Sequence, residues 1–234
     1  MKVPNRTMHL DALVFDAFGT LFDVRSVDGR CEAFWPGKGT ELSALWRTTQ
    51  LEYSWLRSLM QRYVDFETVT REALGAACAA LGLACDDARV AALLQAYREL
   101  APFPEVARVL GRLEGRRRAI LSNGSPAMLQ AVVRHAAIGP HIDKILSVDS
   151  VRVYKPDPRV YQLAVDALEI PRDRIGFVSS NFWDVSGAKA FGFRVFWVNR
   201  SGRPADALGV APDRTLDNLE RIFEHIDGAM PEIM

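Results

Sequence analysis

The sequence predicts an α/β fold in which an all-helical domain interrupts a mostly parallel β-sheet. Five short apolar runs are spread along the chain, and the later ones alternate with helical patterns. Such alternation is typical of β-α-β units, whose strands are buried on both faces and are therefore apolar throughout. About 100 residues between the first and second runs contain helical patterns and no convincing strand. The predicted architecture is therefore a Rossmann-like, doubly wound core with an inserted helical cap domain.

The predicted strands of the core are short apolar segments bounded by polar residues. They cover residues 13–15, 119–121, 145–148, 175–178 and 195–198, with helical patterns at 127–135 and 160–168 between the later ones. We assign residues 1–21 and 104–234 to this core. Met8 is a second candidate for the start of translation, which would make residues 1–7 an extension.

Residues 22–103 are predicted to form the cap domain. Its helical patterns cover residues 41–63, 71–81 and 88–100. In the first of these patterns the large apolar residues fall close to one stripe, as they do on a helix with one buried face. Pro102 and Pro104 mark the return of the chain to the core.

The charge balance excludes two classes of partner. Lys and Arg together number 29, as do Asp and Glu, so the formal net charge is zero. We expect neither a nucleic-acid partner nor binding to an anionic membrane surface, because both select strongly basic proteins. No run reaches the roughly 18 apolar residues of a membrane span.

The cysteines favour a reducing compartment. The sequence has three cysteines, Cys31, Cys78 and Cys85, and their spacing is unlike that of metal ligands. We therefore expect free thiols. Asp11 and Asp16 interrupt the first apolar run, which is unlike a signal peptide. We therefore expect a cytoplasmic location.

Polar residues follow the predicted strands at the points where the strands end. In an open parallel sheet, ligands bind outside the carboxyl ends of the strands. The residues found there are Asp16 after the first strand, Ser122 and Asn123 after the second, Lys155 after the third, Ser179, Asn181 and Asp184 after the fourth, and Asn199 and Arg200 after the fifth. This ordered set predicts one functional site at that edge of the sheet.

Each of these residues taken alone has another interpretation. Ser122 fits a helix cap, Asp184 a cap or a surface ion pair, Lys155 an exposed loop lysine, and Asp16 a buried turn residue bonded to backbone amides. Independent surface residues have no reason to converge on one edge, so the set as a whole favours a site. Phe18 stands where a phosphate-transferring or Mg²⁺-binding site would have a second acid.

Five segments of the chain resemble a known family. They read FDAFGTLFDVRSV, ALWRTTQLEY, LSNGSP, VYKPDPRVY and FVSSNFWDVSGA. They are similar to the L-2-haloacid dehalogenases (type II) of the haloacid dehalogenase superfamily, and the resemblance runs from about residue 10 to the last strand. It implies hydrolysis of short-chain L-2-haloacids, such as 2-haloacetate and L-2-chloropropionate, to D-2-hydroxy acids and halide with inversion. It implies no metal and no cofactor, and it suggests a homodimer, with Trp35, Trp46 and Trp55 partly facing the partner.

The resemblance also implies roles for polar residues. Asp16 would be the nucleophile that forms an ester, and Arg47 would meet the departing halide. The remaining matches are Thr20, which would hydrogen-bond Asp16; Ser122 and Asn123, which would hold the substrate carboxylate; Asp184 and Asn181, which would orient water and Lys155; and Ser179 and Tyr161, which would support Lys155. On physical grounds Lys155 can keep Asp16 ionised, and backbone N–H groups at 18–20 are expected to hold one carboxylate oxygen.

An apolar pocket is implied around the alkyl group and the halogen. Phe18, Leu51, Phe66 and Trp183 match its walls, and such walls strip water from the reacting groups. On spacing alone, Leu51 and Phe66 would be ordinary core residues. Thr48 stands where some members of the family carry glutamine, which predicts a wider halide end.

Three alternatives stay open at this point. A phosphatase of the same fold would turn over p-nitrophenyl phosphate with Mg²⁺, and a non-enzymatic binding protein could use the same scaffold. A serine hydrolase is disfavoured because the sequence has no G-x-S-x-G motif and its four histidines show no link to a nucleophile.

Overall fold

A parallel β-sheet forms the centre of the molecule. The structure is a computed structural model that describes residues 8–113 and 115–226, so the proposed extension at residues 1–7 lies outside the described residues. Within them six strands form one parallel sheet in the order β3-β2-β1-β4-β5-β6. The strands are β1 (Ala12–Phe15), β2 (Arg117–Ser122), β3 (Lys144–Ser147), β4 (Ile175–Ser179), β5 (Arg194–Val198) and β6 (Arg214–Leu216). The predicted α/β class is confirmed.

Eight α-helices accompany these strands in the described part of the chain. They are α1 (Asp28–Phe34), α2 (Gly39–Leu59), α3 (Phe66–Ala80), α4 (Asp87–Arg98), α5 (Val106–Arg112), α6 (Pro126–His135), α7 (Pro158–Leu168) and α8 (Phe182–Phe191). Short 3₁₀ segments lie at Val24–Val27, Gly139–His141, Val148–Ser150, Arg172–Arg174 and Leu219–Glu224. Helices α1–α5 lie between β1 and β2, and the first four of them fall within residues 22–103, where the sequence predicts an all-helical insertion. None of the described helices is both long enough and apolar enough to cross a bilayer.

The five predicted strands are present, each within two residues of its predicted ends. Strand β6 was not predicted, because its three residues include a single apolar side chain, Leu216, and so give no apolar run. It pairs with β5 at the edge of the sheet. Helices α1, α5 and α8 were also not predicted.

Two predicted helix boundaries in the cap are wrong. Helix α2 ends at Leu59 and not at Tyr63, because Gln61 takes a left-handed φ of 57° and Arg62 N donates to Arg57 O. An αL residue just past the last turn is a common helix stop. Helix α3 begins at Phe66 and not at residue 71, because the Asp65 side chain accepts a hydrogen bond from Thr68 N and caps the helix.

The central position of β1 brings the strand ends together. Phe15 pairs with Ile120 of β2 on one side and with Val178 of β4 on the other. The four residues of β1 are buried, which a strand in the middle of a parallel sheet requires. Asp16 therefore leaves the sheet beside the ends of β2 and β4.

Two linkers join the helical insertion to the sheet, and they pair with each other. Asp23 N donates to Ala101 O at 2.8 Å, and Phe103 N donates to Leu21 O at 3.0 Å. The division into a core of residues 1–21 and 104–234 and a cap of residues 22–103 stays a prediction, and its boundaries fall at these linkers.

Helix α8 packs closely against the segment that follows Lys155. A Cβ added at Gly187 would lie 2.5 Å from Pro156 Cβ and 2.5 Å from the hydroxyl oxygen of Tyr161. Neither neighbour can move freely, since one is a proline ring carbon and the other is the buried end of Tyr161. The position therefore requires glycine for the close approach of helix and loop.

We expect Gly187→Ala to lower the free energy of unfolding by about 1–3 kcal/mol, the usual cost of overpacking a dense interior. The matched control is Gly75→Ala, which lies on an exposed face of α3 with open space around it. That change should raise stability by about 0.5–1 kcal/mol, because alanine favours a helix over glycine. Urea denaturation of both variants measures the difference, and equal stability of the two would contradict the packing argument.

Candidate active site

Asp16 lies at the centre of a buried hydrogen-bond network. Its Oδ2 accepts hydrogen bonds from Thr20 Oγ1 at 2.9 Å and Asn181 Nδ2 at 2.8 Å, and Ser179 Oγ lies 3.5 Å away. Its Oδ1 accepts a hydrogen bond from Lys155 Nζ at 3.2 Å. The two oxygens therefore differ, because Oδ2 is held by several donors whereas Oδ1 keeps more of its lone-pair directions free.

Side chains, not the backbone, hold this carboxylate. The expected contribution of the amides of Gly19 and Thr20 is wrong, because these groups donate to Phe22 O at 2.8 Å and Ala17 O at 3.2 Å. Gly19 has φ +90°, a conformation that glycine adopts without strain. The loop thus uses these amides to close its own turn, and the Thr20 hydroxyl reaches Asp16 instead.

Lys155 bridges two carboxylates inside the protein. Its ammonium donates to Asp184 Oδ2 at 2.8 Å and to Asp16 Oδ1 at 3.2 Å, and its side chain is 0% exposed. Burial alone would lower the pKa of Lys155, but the charges of Asp16 and Asp184 outweigh burial and raise it. Lys155 therefore stays charged, and the interpretation of Lys155 as an exposed loop residue is wrong.

Asp184 is fully buried and lies between Lys155 and Tyr161. Burial raises the pKa of Asp184 to about 6, although the charge of Lys155 acts in the opposite direction. The Tyr161 hydroxyl donates to Asp184 Oδ1 at 2.8 Å, and the pKa of Tyr161 is raised by burial and by the charge of Asp184. Tyr161 thus keeps its proton, and the interpretation of Asp184 as a surface residue is wrong.

Ser122 and Asn123 lie at the end of β2, both buried. Ser122 Oγ accepts a hydrogen bond from Gly124 N at 3.1 Å. The cap of α6 is Ser125, whose hydroxyl accepts from Met128 N, so Ser122 is not that cap. Asn123 Oδ1 accepts from Lys155 N at 3.0 Å, and this contact fixes the Lys155 backbone. Sequence reasoning had not predicted this contact of Asn123.

Helix α2 carries Arg47 toward the Asp16 loop. Arg47 is half-buried, its Nη1 donates to Gln50 Oε1 at 2.7 Å, and its Nη2 lies 3.5 Å from Phe18 O. Gln50 is fully buried and donates to Thr70 Oγ1 at 2.6 Å. Sequence reasoning missed Gln50, although its place one turn after Arg47 on a helix was an available signal.

Aromatic side chains cover the space beside Arg47. Phe18 is buried, with its ring centroid 6.0 Å from that of Phe66 and 6.2 Å from that of Tyr97. Burial raises the pKa of Tyr97 while the charge of Arg47 acts to lower it. Tyr97 was not predicted for the site, because nothing local in α4 distinguishes it from a core aromatic.

The other three predicted pocket residues, Leu51, Thr48 and Trp183, differ from one another in burial and in contacts. Leu51 is half-buried on α2, whereas Thr48 is exposed and its hydroxyl donates to Ala44 O within the same helix. The predicted role of Thr48 at the halide end therefore stays a prediction. Trp183 is half-buried and packs edge-on against Trp55 at 5.5 Å between ring centroids.

A cavity of about 420 Å³ opens beside Lys155. Trp55, Ser58, Tyr154 and Trp183 line it together with Lys155. Tyr154 N donates to Ser58 Oγ at 3.0 Å, so this wall joins the segment before Lys155 to helix α2 of the insertion. The cavity thus lies between helix α2 and the Lys155 segment, whereas Asp16 and Asp184 do not line it.

The described part of the chain contains no cluster of side chains that could bind a metal ion. Across residues 8–113 and 115–226, no group of three or more His, Cys, Asp or Glu side chains is placed to hold an ion. The ammonium of Lys155 lies between the carboxylates of Asp16 and Asp184, at the place where a cation would bind them both.

Comparison with known proteins places the chain among hydrolases. Residues 10–192 match the family model of haloacid dehalogenase-like hydrolases. The chain is 50% identical over 223 residues to an (S)-2-haloacid dehalogenase of Pseudomonas sp. (strain YL), covering 94% of this chain and 96% of that protein. It is also 47% identical over 219 residues to haloacetate dehalogenase H-2 of Moraxella sp. (strain B), and this match covers 93% of this chain and 98% of that protein.

A solved structure agrees with these relatives. The L-2-haloacid dehalogenase from Xanthobacter autotrophicus with chloropropionic acid covalently bound superposes with a TM-score of 0.87 at 43% identity. The match covers 91% of this chain and 96% of that one. Sequence and fold thus agree, and the chain belongs to the haloacid dehalogenase-like hydrolases, among the L-2-haloacid dehalogenases.

Proposed function

We propose that the protein hydrolyses the carbon–halogen bond of short-chain L-2-haloacids, such as 2-haloacetate and L-2-chloropropionate, to D-2-hydroxy acids and halide. The observation that carries the proposal is the buried Asp16 carboxylate, held between Lys155 and the side chains of Thr20 and Asn181. The (S)-2-haloacid and haloacetate dehalogenases similar to this chain act on substrates of this class.

In the first step Asp16 acts as the nucleophile. One carboxylate oxygen forms a bond to the α-carbon while the carbon–halogen bond breaks, and the halide leaves with the bonding electrons. Oδ1 is the oxygen proposed to attack, since Oδ2 is already held by its donors. The product of this step is an ester of Asp16, which divides a difficult displacement into two easier ones.

Arg47 is proposed to stabilise the departing halide. Negative charge develops on the halogen during the displacement, and a cation fixed beside it lowers the barrier. Gln50 holds one guanidinium nitrogen, and the carbonyl oxygen of Phe18 lies near another, so the group is oriented before substrate binds. The rings of Phe18 and Phe66 keep the region apolar, which strengthens this charge–charge contact.

In the second step water hydrolyses the ester. Asp184 accepts a proton from the water as the oxygen attacks the carbonyl carbon of the esterified Asp16. Charge then develops on Oδ2, where Thr20 and Asn181 already donate. The intermediate collapses as the bond between the carbonyl carbon and the ester oxygen breaks, and the proton held by Asp184 passes to the departing alkoxide, which leaves as the hydroxy acid. No bond to the α-carbon breaks in this step, so the inversion from the first step is retained in the product.

The remaining site residues are proposed to shape the substrate pocket. Ser122 and Asn123 would bind the substrate carboxylate at the end of β2. The proposed apolar walls are Phe18, Leu51, Phe66 and Trp183, with Thr48 at the halide end. Ser179 and Tyr161 would keep the Lys155 region in place, and the contact of Tyr161 with Asp184 supports this assignment.

The proposal assigns no metal and no cofactor. Magnesium sites use hard oxygen ligands, typically one or two carboxylates with waters. The Phe18 side chain offers no such ligand at the position two residues after Asp16, and Lys155 supplies positive charge beside the proposed nucleophile. The comparisons do not favour the alternative of a phosphatase.

We also propose a homodimer in the cytoplasm. The expectation that Trp35 and Trp46 face a partner is wrong, because both are buried and donate to Ala84 O and Thr70 O. Apolar residues at the end of α2 are exposed instead, including Leu59 at 81%. The three cysteines are free thiols, which fits a reducing compartment.

The function is tested with racemic 2-chloropropionate in the presence of EDTA. We expect chloride release to stop when the L enantiomer is exhausted and the D-2-hydroxy acid to accumulate, since one fixed carboxylate attacks from one side. Ion chromatography and chiral chromatography measure both products. Consumption of both enantiomers, or activity only on p-nitrophenyl phosphate with Mg²⁺, would contradict the proposal.

The covalent step is tested by a single turnover in H₂¹⁸O with enzyme in excess. Because water attacks the ester carbonyl, ¹⁸O should enter the Asp16 side chain, and the hydroxy acid should carry unlabelled oxygen. Mass spectrometry of the Asp16 peptide and of the product reads the label. Multiple turnovers serve as the control, since later products should be labelled. Label in the first product would show direct attack of water on the α-carbon.

The proposed role of Asp184 as the base predicts that ester hydrolysis slows at low pH, once Asp184 is protonated. The pKa of Asp184 is raised to about 6 while Asp16 is ionised. Esterification removes the charge of Asp16, which is one cause of the raised pKa, so the acid limit on ester hydrolysis should lie below pH 6. Below that limit Asp184 is protonated and cannot accept a proton from water. Below this limit rapid quench should show a burst of about one halide per enzyme followed by slow turnover. Tyr161→Phe removes a donor that lowers the pKa of Asp184, so the limit should shift to higher pH. A hydrolysis rate that stays constant from pH 8 down to pH 4, in enzyme that remains folded, would exclude Asp184 as the base.

A further inference from the structure

Arg200 follows β5 at the same edge of the sheet, and the proposed reaction gives it no role. Its guanidinium contacts the Asp16 loop, the loop after β4 and the linker that returns from the helical insertion. We propose that Arg200 is a positioning residue that fixes the donors around the Asp16 carboxylate. This inference rests on the proposed function and assigns a further residue to the same site.

Two of its contacts reach loops that hold Asp16. Arg200 Nη2 donates to Thr20 O at 3.1 Å, and Nη1 donates to Ser180 Oγ at 3.0 Å. Only 22% of the Arg200 side chain is exposed. The planar guanidinium presents its N–H groups in a fixed fork, so the two loops are held at a defined separation.

The two loops that Arg200 contacts, one with Thr20 and one with Ser180, are hydrogen-bonded to each other and to the Asp16 carboxylate. Ser180 N donates to Thr20 Oγ1 at 2.9 Å, and the Thr20 hydroxyl donates to Asp16 Oδ2 at 2.9 Å. A hydroxyl has a single proton, so accepting a bond from Ser180 N leaves that proton directed at Asp16. Asn181, the next residue, donates to the same Oδ2 at 2.8 Å. A displacement of Thr20 or Ser180 would therefore disturb both donors.

Arg200 is itself anchored on the returning linker. Its Nη2 and Nε donate to Glu105 Oε1 at 2.7 and 3.2 Å, and its guanidinium lies 3.7 Å from the centre of the Phe103 ring. Glu105 is buried, so the ion pair is shielded from screening by salt. Phe103 N donates to Leu21 O, one residue after Thr20. The linker, Arg200 and the Asp16 loop thus form one connected unit.

Lysine cannot replace these contacts. It keeps the charge that the buried Glu105 requires, but its ammonium is a compact group that cannot span Glu105, Thr20 and Ser180 with the geometry of a fork. Arg200→Lys therefore separates a positioning role from the electrostatic support of the fold.

The test compares Arg200→Lys with Arg203→Lys. Arg203 lies three residues further along the chain, and its guanidinium lies 5.7 Å from the centre of the Trp197 ring. We expect Arg200→Lys to lower kcat and the rate of the halide burst about ten-fold, with KM changed less than about two-fold, because the substrate is bound by other residues. Arg203→Lys should keep both rates. Thermal melting of each variant measures folding separately.

Two further variants distinguish positioning from a general loss of structure. Methylguanidine should restore part of the burst rate of Arg200→Ala and leave wild type unchanged, because it refills the site of the guanidinium. Glu105→Gln should give a smaller loss, about three-fold, since its amide oxygen still accepts a hydrogen bond. If Arg200→Lys does not fold, these two measurements test the positioning role of Arg200 in its place.

The outcomes separate this inference from the proposed function. A wild-type enzyme that releases no halide from either enantiomer overturns the proposed function and this inference with it. An active wild type, with Arg200→Lys within about two-fold in burst rate and no rescue of Arg200→Ala, overturns the role of Arg200 alone. Activity that falls only in proportion to the folded fraction of the variant also overturns it.

Discussion

The ammonium of Lys155, shared between the carboxylates of Asp16 and Asp184, is the interaction on which the rest of the site depends. The side chains of Lys155 and Asp184 are 0% exposed and that of Asp16 is 6% exposed. Removing an ion from water costs several kcal/mol, so three charges persist here only because each is paired and hydrogen-bonded. One lysine cannot neutralise two carboxylates, and the excess negative charge adds to burial in raising the pKa of Asp184. The arrangement that keeps Lys155 charged thus also makes Asp184 more basic, which suits its proposed role in ester hydrolysis.

The parallel sheet is what brings these groups together. Asp16 and Lys155 are 139 residues apart in sequence, and the contact between them exists only in the folded chain. Asp16 ends the central strand, whereas Asp184 lies in the first turn of α8 after the adjacent β4. The close packing of α8, permitted by Gly187, then brings Tyr161 to Asp184. Strand β1 and helix α8 thus position the two carboxylates, while Lys155 reaches both of them from the turn before α7.

How far the sequence predicts this molecule depends on the range of the interactions. The five apolar runs predict five strands because burial on both faces leaves a local pattern, whereas β6, with one apolar residue, leaves none. The convergence of Asp16, Lys155 and Asp184 follows from topology, since parallel strands end at one edge. Their roles came from the family resemblance and stay proposals. Tyr97 gives no local signal, because its site contact depends on how α4 packs.

Phe18 is the position at which the proposed reaction differs most from that of a Mg²⁺-dependent phosphatase. Its buried ring packs with Phe66, and its carbonyl oxygen accepts a hydrogen bond from Asn181 Nδ2 at 3.1 Å, with Arg47 Nη2 at 3.5 Å. An acid here would bring a further negative charge to a group that already carries an excess, and it would need a proton or a metal ion as compensation. A halide leaves without a proton, so the displacement requires neither. The phenyl ring thus keeps the pocket apolar, while the backbone of the same residue lies between the arginine of α2 and the asparagine after β4. In the proposed reaction the Asp16 carboxylate is free to attack carbon, because the residue two positions later adds no charge that would have to be neutralised.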